Sequence, residues 1–412
     1  MNNGSYNIER PLIMHIDLNS CFATVEQQAR PRLRGRPIAV VNRRTENTSI
    51  VTASYEAKAL GVSVGMRVKE ARVLCPDLIA LESDPPKYRF VYHKLLAIMK
   101  DYSAHVTMKS IDEGVIDFHK TTEVIRGREL VDIGYEMKDR LRNEIGKAMR
   151  CNVGIAPNRF LAKTAAGLHK PDGLDVIDHL NLRSTLSTLK LTDLTGIAKH
   201  NEHRLNAVGI YTPLQFLDAD AYSLRTMVFK SILGEQWHQR LRGYEVDDVM
   251  HDLKTVGRQY VLEKKHMPHQ QVLQRLHNLC ESVGRKLRSQ NKHARGVLVY
   301  AKTEERGYWH ARHMCDLPFF SDAAIYAQAR MLFLQVPGGC YEIGVSCYEL
   351  SDSDEDDQLS LFGDQLAREQ YVTEAIDAIN SRFGDRTIHV ANTLGTSREV
   401  KQKIPFGSTR YL

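Results

Sequence analysis

Residues 108–118 place two adjacent carboxylates, Asp112 and Glu113, between two apolar segments. Gly114 follows them and predicts a tight turn between two strands. Like charges this close repel and raise each other's pKa. A chain keeps such a pair either at a surface turn screened by water or around a cation. The surface turn is the more frequent case for an isolated Asp-Glu pair, so other parts of the sequence must distinguish the two.

The composition is that of a globular protein with a mildly basic charge. The 412 residues are enough for several domains, 42% are hydrophobic and 26% are charged. The net charge of +6 is compatible with a nucleic-acid partner. Seven scattered cysteines without a Cys-x-x-Cys motif indicate reduced thiols in a cytoplasmic protein, and they argue against a zinc site or a disulfide framework. We expect neither a signal peptide nor a membrane span.

A third carboxylate ends the first apolar strand, residues 12–17. Asp17 stands there either as a catalytic group at a strand end or as the cap of the following helix. Residues 24–81 are predicted to be a small insertion. The order of strand, insertion, helix, hairpin, helix and strand predicts an α+β domain, with an antiparallel or mixed sheet and helices on one face. Three carboxylates at one sheet edge suit two Mg²⁺ ions, the usual device for in-line attack at phosphorus.

Two regions contain candidate phosphate contacts. Tyr55 and Lys58 lie one helical turn apart and can hold phosphate oxygens, although such a pair is more often plain surface. Residues 191–210 are similar to a helix–hairpin–helix, with a simple helical hairpin as the alternative. Ala198 replaces the usual second glycine of that turn. The candidate DNA contacts there are Gly196, Ile197 and Lys199.

Residues 251–350 form a predicted basic α+β domain, with 14 Lys or Arg against 9 Asp or Glu. Five of the basic residues crowd one helix end and the following strand, which predicts either a phosphate-tracking surface or a solvated face. They are Arg285, Lys286, Arg288, Lys292 and Arg295. An acidic run at 351–357 precedes a helix with apolar residues in register, and residues 387–391 are predicted to be a last strand.

Several motifs, taken together and in order, resemble the Y-family translesion DNA polymerases. They occupy residues 16–22, 54–58, 110–113, 154–163 and 170–173. The likeness covers about residues 10–350. It implies a multidomain α+β fold, a right-hand polymerase with a ferredoxin-like palm, small fingers, a helical thumb and an α+β little finger. The implied domains are a palm at 1–25 and 82–178, fingers at 26–81, a thumb with the helix–hairpin–helix at 179–246, a linker at 247–256, a little finger at 257–350 and a C-terminal segment at 351–412.

The resemblance also implies residue roles. Asp17, Asp112 and Glu113 are expected to be catalytic and to hold two Mg²⁺ ions, with the Leu18 carbonyl as a backbone ligand. Phe22 matches the steric gate that rejects a ribose 2′-hydroxyl. The residues expected to contact the incoming nucleotide are Phe22, Thr52, Tyr55, Lys58 and Lys170. Three residues depart from common family choices: Cys21 replaces an aromatic residue, Lys58 an arginine and Gly114 an alanine.

The segment after the acidic run is similar to a bacterial sliding-clamp binding motif. It comprises Gln358, Leu359, Ser360, Leu361 and Phe362, and a core segment of the last domain is the alternative. Its internal position resembles the UmuC-like branch of the family, whose members work with accessory SOS proteins.

We therefore expect a monomeric, low-fidelity DNA polymerase in translesion synthesis and DNA repair. Its substrates would be primer–template DNA and deoxynucleoside triphosphates, with a sliding clamp as partner and no membrane association. No segment of the chain is left over for a proofreading exonuclease, which is the reason to expect low fidelity. Two alternatives are a catalytically silent protein that binds DNA and the clamp, and another two-metal enzyme on a similar palm, such as a nucleotide cyclase.

Overall fold

The computed structural model describes residues 5–121, 127–249, 252–262, 264, 267–303, 307–352, 363–394 and 396. The chain divides into two compact units between Val249 and Met250. That division falls inside the stretch 247–256, for which a linker was predicted. Within the described residues, every helix is too short or too polar to cross a membrane.

The described residues of the first unit form eight strands and eleven α-helices. The strands are β1 (Ile13–Leu18), β2 (Ile38–Val41), β3 (Ile50–Ala53), β4 (Ile79–Glu82), β5 (Val106–Met108), β6 (Glu113–Asp117), β7 (Cys151–Ala156) and β8 (Leu174–Val176). The helices are α1 (Cys21–Ala29), α2 (Tyr55–Ala59), α3 (Val68–Leu74), α4 (Pro85–Lys100), α5 (Leu130–Glu144), α6 (Arg159–Leu168), α7 (Leu182–Ser187), α8 (Lys199–Asn206), α9 (Pro213–Asp218), α10 (Ala221–Ser223) and α11 (Leu233–Leu241).

A five-stranded sheet forms the centre of this unit, in the order β5-β6-β1-β7-β8. All neighbours are antiparallel except β7 and β8, so the sheet is mixed. Successive side chains of a strand point to opposite faces. Met14 and Ile16 therefore face one core, which α4 and α5 cover, whereas Ile13 faces a second core with α6 and the helices that follow it.

The sheet is thus covered by helices on both faces, and the prediction of helices on one face is wrong. Gly154 on β7 explains how α6 lies so close to the second face. A Cβ atom at this position would stand 2.0 Å from the Ala162 carbonyl oxygen and 2.3 Å from the Ala166 nitrogen. Only glycine admits this backbone approach.

The insertion forms a separate three-stranded sheet, in the order β3-β2-β4. Its inner face packs against α2 and α3 around small apolar residues such as Ala39, Ala57 and Ala71. The Ser54 side chain caps α2 by accepting a hydrogen bond of 3.3 Å from the Ala57 N–H. Because Ser54 directly follows β3, this cap fixes the point at which Tyr55 and Lys58 leave the sheet.

Short helices from α7 to α11 form the last part of the first unit around an aromatic cluster. Trp237 contacts Phe160, Phe216 and Phe229, with ring centroids 5.3 to 6.2 Å apart. Gly196 has φ of +98° in the turn before α8, and a Cβ atom there would stand 3.1 Å from Trp237. The predicted first helix of the hairpin motif is instead a single 3₁₀ turn, Leu191–Asp193.

The second unit has a four-stranded antiparallel sheet, in the order β11-β10-β12-β9. Its strands are β9 (Thr255–Val261), β10 (Lys292–Thr303), β11 (Gly307–Phe319) and β12 (Cys340–Asp352). Its helices are α12 (His269–Arg288), α13 (Asp322–Phe333) and α14 (Gly363–Phe383). α12 and α13 share an apolar core with one face of the sheet.

The C-terminal segment of the second unit differs from the prediction. Residues 387–391 do not form a strand, and a 3₁₀ turn follows instead at Ala391–Thr393. Hydrogen bonds to α12 explain this, because the buried Glu281 carboxylate accepts from the Thr393 hydroxyl at 2.9 Å and from the Val390 N–H at 3.3 Å. These contacts bend the segment around α12.

Candidate active site

Three acidic residues lie at one end of the five-stranded sheet. β1 carries Asp17, and the antiparallel register sets Glu113, the first residue of β6, directly opposite it. Asp112 precedes β6, and its carbonyl oxygen accepts a hydrogen bond of 2.8 Å from the Leu18 N–H. Directly opposed residues of an antiparallel pair project to the same face. The register therefore brings the three acids and Leu18 together.

Two side chains donate hydrogen bonds to the Glu113 carboxylate. The Lys163 ammonium on α6 donates to both carboxylate oxygens, at 2.9 and 2.7 Å. The Nε2 atom of His15, two residues before Asp17, donates at 3.2 Å from a fully buried ring. Burial acts to raise the pKa of Glu113, but the bonds from His15 and Lys163 together bring it down to about 2. Glu113 is thus a fixed anion.

Asp112 and Asp17 have different surroundings. Burial raises the pKa of Asp112, and the charges of Asp17 and Glu113 raise it further, while a hydrogen bond of 2.5 Å from the Ser110 hydroxyl opposes both. The Asp17 carboxylate accepts from the Lys170 ammonium at 2.5 Å. Each of the three acids is therefore oriented by a different partner.

The donor chemistry of these residues fits a divalent cation. Within the described ranges, no three His, Cys, Asp or Glu side chains are grouped closely enough to bind a metal ion as they stand. The three carboxylates nevertheless offer hard oxygen ligands from adjacent backbone positions, which is what Mg²⁺ prefers. Asp112 also bears the repulsion of two neighbouring carboxylates, which a cation would relieve.

The expected nucleotide contacts cluster beside Asp17. The Lys58 ammonium lies 4.7 Å from the centroid of the Tyr55 ring and donates to the Ser20 hydroxyl at 2.7 Å. Burial lowers the pKa of Lys58, as does the nearby charge of Lys170, whereas Asp17 acts in the opposite direction. Burial and the charge of Asp17 raise the pKa of Tyr55. Tyr55, Lys58 and Lys170 therefore lie close enough to Asp17 to interact with its charge.

Two further residues that are expected to contact the nucleotide, Thr52 and Phe22, have different surroundings. Thr52 is half-buried on β3, opposite Val40. Phe22, in the first turn of α1, is 5% exposed and stacks in parallel on Tyr88, with ring centroids 4.2 Å apart. The Tyr88 hydroxyl in turn donates to the buried Glu26 carboxylate at 3.1 Å. Phe22 is therefore a rigid plate rather than a mobile side chain.

The structure accounts for the glycine at position 114. An alanine Cβ atom there would stand 2.7 Å from Met108 Sδ and 2.9 Å from Met99 Cε. The two methionines occupy the volume that the methyl group of an alanine needs. Their packing therefore depends on the absence of a side chain at position 114. Cys21 is likewise fully buried and packs as a small apolar side chain.

The comparisons with known proteins identify the family. Residues 16–167 match the impB/mucB/samB family, and residues 254–361 match the C-terminal domain of that family. DNA polymerase IV of Moorella thermoacetica is 32% identical over 93% of this chain and 96% of its own length. The chain belongs to the impB/mucB/samB family.

Other members and a solved structure agree with this assignment. DNA polymerase IV of Pelotomaculum thermopropionicum is 31% identical over 95% of this chain and 97% of its own length. DNA polymerase IV 1 of Bacillus subtilis is 28% identical over 93% of both chains. A Y-family DNA polymerase chimera superposes with a TM-score of 0.70 at 22% identity, covering 82% of this chain and 99% of its own. The predicted Y-family polymerase fold is confirmed, and the UmuC-like branch stays a prediction.

The three candidate DNA contacts in and after the turn that precedes α8 differ in their exposure to solvent. Gly196 and Lys199 are exposed, as a phosphate contact requires. Ile197 is 2% exposed, and its N–H donates to the Leu194 carbonyl at 2.9 Å inside the turn. Ile197 is therefore a core residue, and a phosphate contact through its backbone N–H is excluded in this conformation.

The five basic residues predicted to face DNA are largely bound to protein. Arg288 bonds Asp377 at 2.6 Å and Asp322 at 2.8 Å, and Arg285 pairs with Asp385. In this conformation the counter-charges of the two arginines come from the C-terminal segment and from α13, and their contact with DNA phosphates stays a prediction.

The other three basic residues differ in their burial and in their partners. Lys286 is half-buried beside Arg258, and burial is the main cause that lowers its pKa to about 8. The Lys292 ammonium pairs with Asp352 at 2.7 Å, and Arg295 donates to the Asp316 carbonyl at 2.7 Å. The sequence pattern showed the density of positive charge but not its partners. The clamp motif, residues 358–362, lies outside the described residues.

Sequence reasoning missed the groups that hold the acids and the Lys170 loop. They are His15, Asn19, Lys163, Asn152 and Asp172. His15 and Asn19 each stand two residues from Asp17, which places them on its face of β1 or just beyond its end. That spacing was the available signal, but their partners are about 100 to 150 residues away, as the separations of 98, 133 and 153 residues show.

Proposed function

We propose that this protein is a template-directed, low-fidelity DNA polymerase that acts in translesion synthesis and DNA repair. It transfers a deoxynucleotide to a primer 3′-hydroxyl and releases pyrophosphate. The observation that carries the proposal is the grouping of Asp17, Asp112 and Glu113 at one sheet end, beside the cationic residues Lys58 and Lys170. Relatives that carry the name DNA polymerase IV over nearly the whole chain support it.

Asp17, Asp112, Glu113 and the Leu18 carbonyl would hold two Mg²⁺ ions. When bound, such ions would activate the primer 3′-hydroxyl and would neutralise charge on the phosphates and the leaving group. The protein's own part is to keep the three carboxylates ionised and in place. His15 and Lys163 do this for Glu113, and Ser110 does so for Asp112.

Tyr55, Lys58 and Lys170 would grip the triphosphate, with Thr52 near the nascent base pair. Lys170 now donates to Asp17, so nucleotide binding would exchange this carboxylate for phosphate oxygens. Lys58 supplies a point charge where an arginine would supply a bidentate fork. Phe22, stacked on Tyr88, would lie beneath the sugar and exclude a 2′-hydroxyl.

The remaining roles follow the division of the chain. We assign the palm to residues 1–25 and 82–178, the fingers to 26–81, the thumb to 179–246, the linker to 247–256, the little finger to 257–350 and the clamp-binding segment to 351–412. Gly196 and Lys199 are the phosphate contacts of the thumb. Lys292, which is half-buried, and Arg295, which is exposed, are the candidates of the little finger.

The protein would act as a monomer in the cytoplasm, recruited by a sliding clamp and working with accessory SOS proteins. Replacing Leu361 and Phe362 by Ala should leave distributive synthesis intact and abolish its stimulation by a clamp. Replacing the nearby exposed pair Tyr371 and Val372 is the control. Equal stimulation of the motif variant and the parent protein would refute the motif.

Primer extension on undamaged and lesion-bearing templates tests the proposal directly. With Mg²⁺ and the four deoxynucleotides, the proposal predicts templated extension, including past a lesion. DNA binding without extension would favour the catalytically silent accessory protein, although retention of all three acids argues against it. Formation of a cyclic nucleotide without extension would favour a cyclase.

A further inference from the structure

Lys170 is carried by a loop with an unusual backbone, between α6 and β8. Asp172 has φ of +61°, in the left-handed region that residues other than glycine rarely adopt. Such a conformation persists only where the surroundings enforce it. The side chains that enforce it here come from three distant parts of the first unit.

A chain of two buried amides joins this loop to the end of β1. The Asp172 N–H donates to Asn19 Oδ1 at 2.8 Å, and Asn19 Nδ2 donates to Asn152 Oδ1 at 2.8 Å. Asn152 Nδ2 then donates to the His169 carbonyl at 3.0 Å, at the start of the loop. Asn19 and Asn152 are 2% and 0% exposed, so no water competes for these bonds.

The chemistry of the chain requires an amide at position 19. Asn19 must accept from a backbone N–H on one side and donate to an amide oxygen on the other. An aspartate could accept but not donate, and it would add a buried charge beside Asp172. If the side-chain amide of Asn19 were rotated by 180°, its NH₂ group would face the Asp172 N–H, and two donors cannot form a hydrogen bond. The orientation of Asn19 is therefore determined by its partners.

The outer side of the loop is held by three cations. The Asp172 carboxylate pairs with Arg142 at 2.6 Å, with Lys138 at 3.3 Å and with Arg150 at 3.5 Å. Lys138 is buried and also donates to the backbone carbonyls of the loop. The loop is thus fixed from inside by amides and from outside by charge.

These contacts set the distance between two functional groups. Asn19 follows Asp17 by two residues, and Asp172 follows Lys170 by two residues. The hydrogen bond between Asn19 and Asp172 ties the two backbones together, while Lys170 Nζ stands 2.5 Å from Asp17 Oδ2. A shift of either backbone would therefore move the ammonium relative to the carboxylate.

We propose that Asn19, acting through Asn152 and Asp172, is a positioning residue that holds the Lys170 ammonium at the triphosphate. This inference rests on the proposed function, since it takes Lys170 to bind the incoming nucleotide. Asn19 touches neither the nucleotide nor the primer. Its substitution should therefore weaken nucleotide binding only as far as Lys170 contributes to it.

A double-mutant cycle of Asn19→Ala and Lys170→Ala tests this. The measured quantity is the Kd of the templated deoxynucleoside triphosphate, with Ca²⁺ present and a dideoxy-terminated primer so that no chemistry occurs. We expect each single variant to raise Kd by about tenfold, and the double variant to bind no more weakly than Lys170→Ala. In steady-state extension, Asn19→Ala should raise KM more than it lowers kcat.

Two further variants keep the test decisive. Asn19→Asp preserves the size of the side chain and should show the same loss if Asn19→Ala does not fold. Asn278→Ala removes a buried amide of the second unit, which donates to Thr396 at 2.9 Å, and should leave Kd unchanged.

The possible outcomes distinguish a failure of the positioning role from a failure of the proposed polymerase function. A double variant about a hundredfold weaker than the parent protein would mean independent effects, and Asn19 would then be a structural residue only. Full nucleotide affinity in Lys170→Ala would also overturn the positioning role, while extension by the parent protein would still uphold the polymerase. Absence of extension by the parent protein would overturn the proposed function itself.

Discussion

Glu113 illustrates how single residues prepare this site for a cation. Its carboxylate is half-buried, yet the bonds from His15 and Lys163 bring its pKa to about 2. The Nδ1 atom of His15 is buried and has no hydrogen-bond partner among the residues that the structure describes. The bond from Nε2 to Glu113 is therefore the contact that orients the ring.

Phe22→Ala is expected to relax sugar selection, because removing the ring opens space beneath the sugar. Ribonucleotide incorporation relative to deoxynucleotide incorporation should rise by at least about tenfold in kcat/KM. Phe90→Ala is the control, since that ring lies on α4 and is 58% exposed. Unchanged selectivity in Phe22→Ala would remove Phe22 from the gate.

Gly114→Ala should destabilise the first unit by about 1 kcal/mol, the low end for overpacking, because the atoms that must move belong to the flexible ends of Met99 and Met108. Gly167→Ala is the matched control in α6, where an added Cβ atom meets nothing within 4 Å. That variant should be neutral or slightly stabilising. Denaturant unfolding distinguishes the two, and equal stability would contradict the account of Gly114.

Lys286→Met should stabilise the second unit near neutral pH by roughly 1 kcal/mol, a value kept small because part of the ammonium remains in water. The pKa of the folded state, about 8, lies below the unfolded value of about 10.4. The wild-type protein therefore gains stability as the pH rises through this window, because the unfolded chain then binds more protons.

The advantage of Lys286→Met should accordingly shrink between pH 8 and about 10.4. Urea unfolding of the full chain across this range measures it. Lys292→Met, which loses an ion pair with Asp352, is the control and should gain nothing at any pH. A constant advantage for Lys286→Met across the range would contradict the buried-charge explanation.

At the scale of elements, the periodicity of the sequence predicted most of the first unit. The predicted order of strand, insertion, helix, hairpin, helix and strand is observed as β1, the three-stranded sheet with its helices, α4, the β5–β6 hairpin, α5 and β7. The 3₁₀ turn at Ala391–Thr393 replaced a predicted strand because Glu281, more than 100 residues earlier, holds the segment. Local propensity does not record such a distant partner.

Arg386→Met should destabilise the docking of the C-terminal segment. Arg386 pairs with Glu281, which is 4% exposed, so removing the guanidinium leaves a buried carboxylate without its counter-charge. The expected cost is about 3 kcal/mol. Arg382→Met is the control, since Arg382 is exposed and its guanidinium lies over the ring of Phe383.

Limited proteolysis of the full chain is the measurement for Arg386→Met. The variant should be cleaved faster within residues 363–396, while the control is cleaved at the rate of the parent protein. Identical protection of both variants would show that the Glu281 contacts do not secure the segment.

At the scale of the whole molecule, order and spacing of motifs carried more information than any single motif. The pair at 112–113 became a metal-site candidate through Asp17, the third carboxylate, which the register places opposite Glu113. The charge density of α12 did not reveal that Arg285 and Arg288 bond acids contributed by the C-terminal segment and α13. The contacts of Asn19 could not be predicted from the sequence either, because they join residues that are 133 and 153 positions apart.

Single-turnover primer extension by Asp112→Asn, with DNA binding measured in parallel, tests the central claim most directly. The account predicts a rate lower by about a thousandfold or more in Mg²⁺, because one carboxylate of the metal site is lost, with DNA affinity nearly unchanged. Asp132→Asn, an exposed acid in the first turn of α5, should extend primers at the parent rate. Near-normal extension by Asp112→Asn would contradict the assignment of the three acids to catalysis.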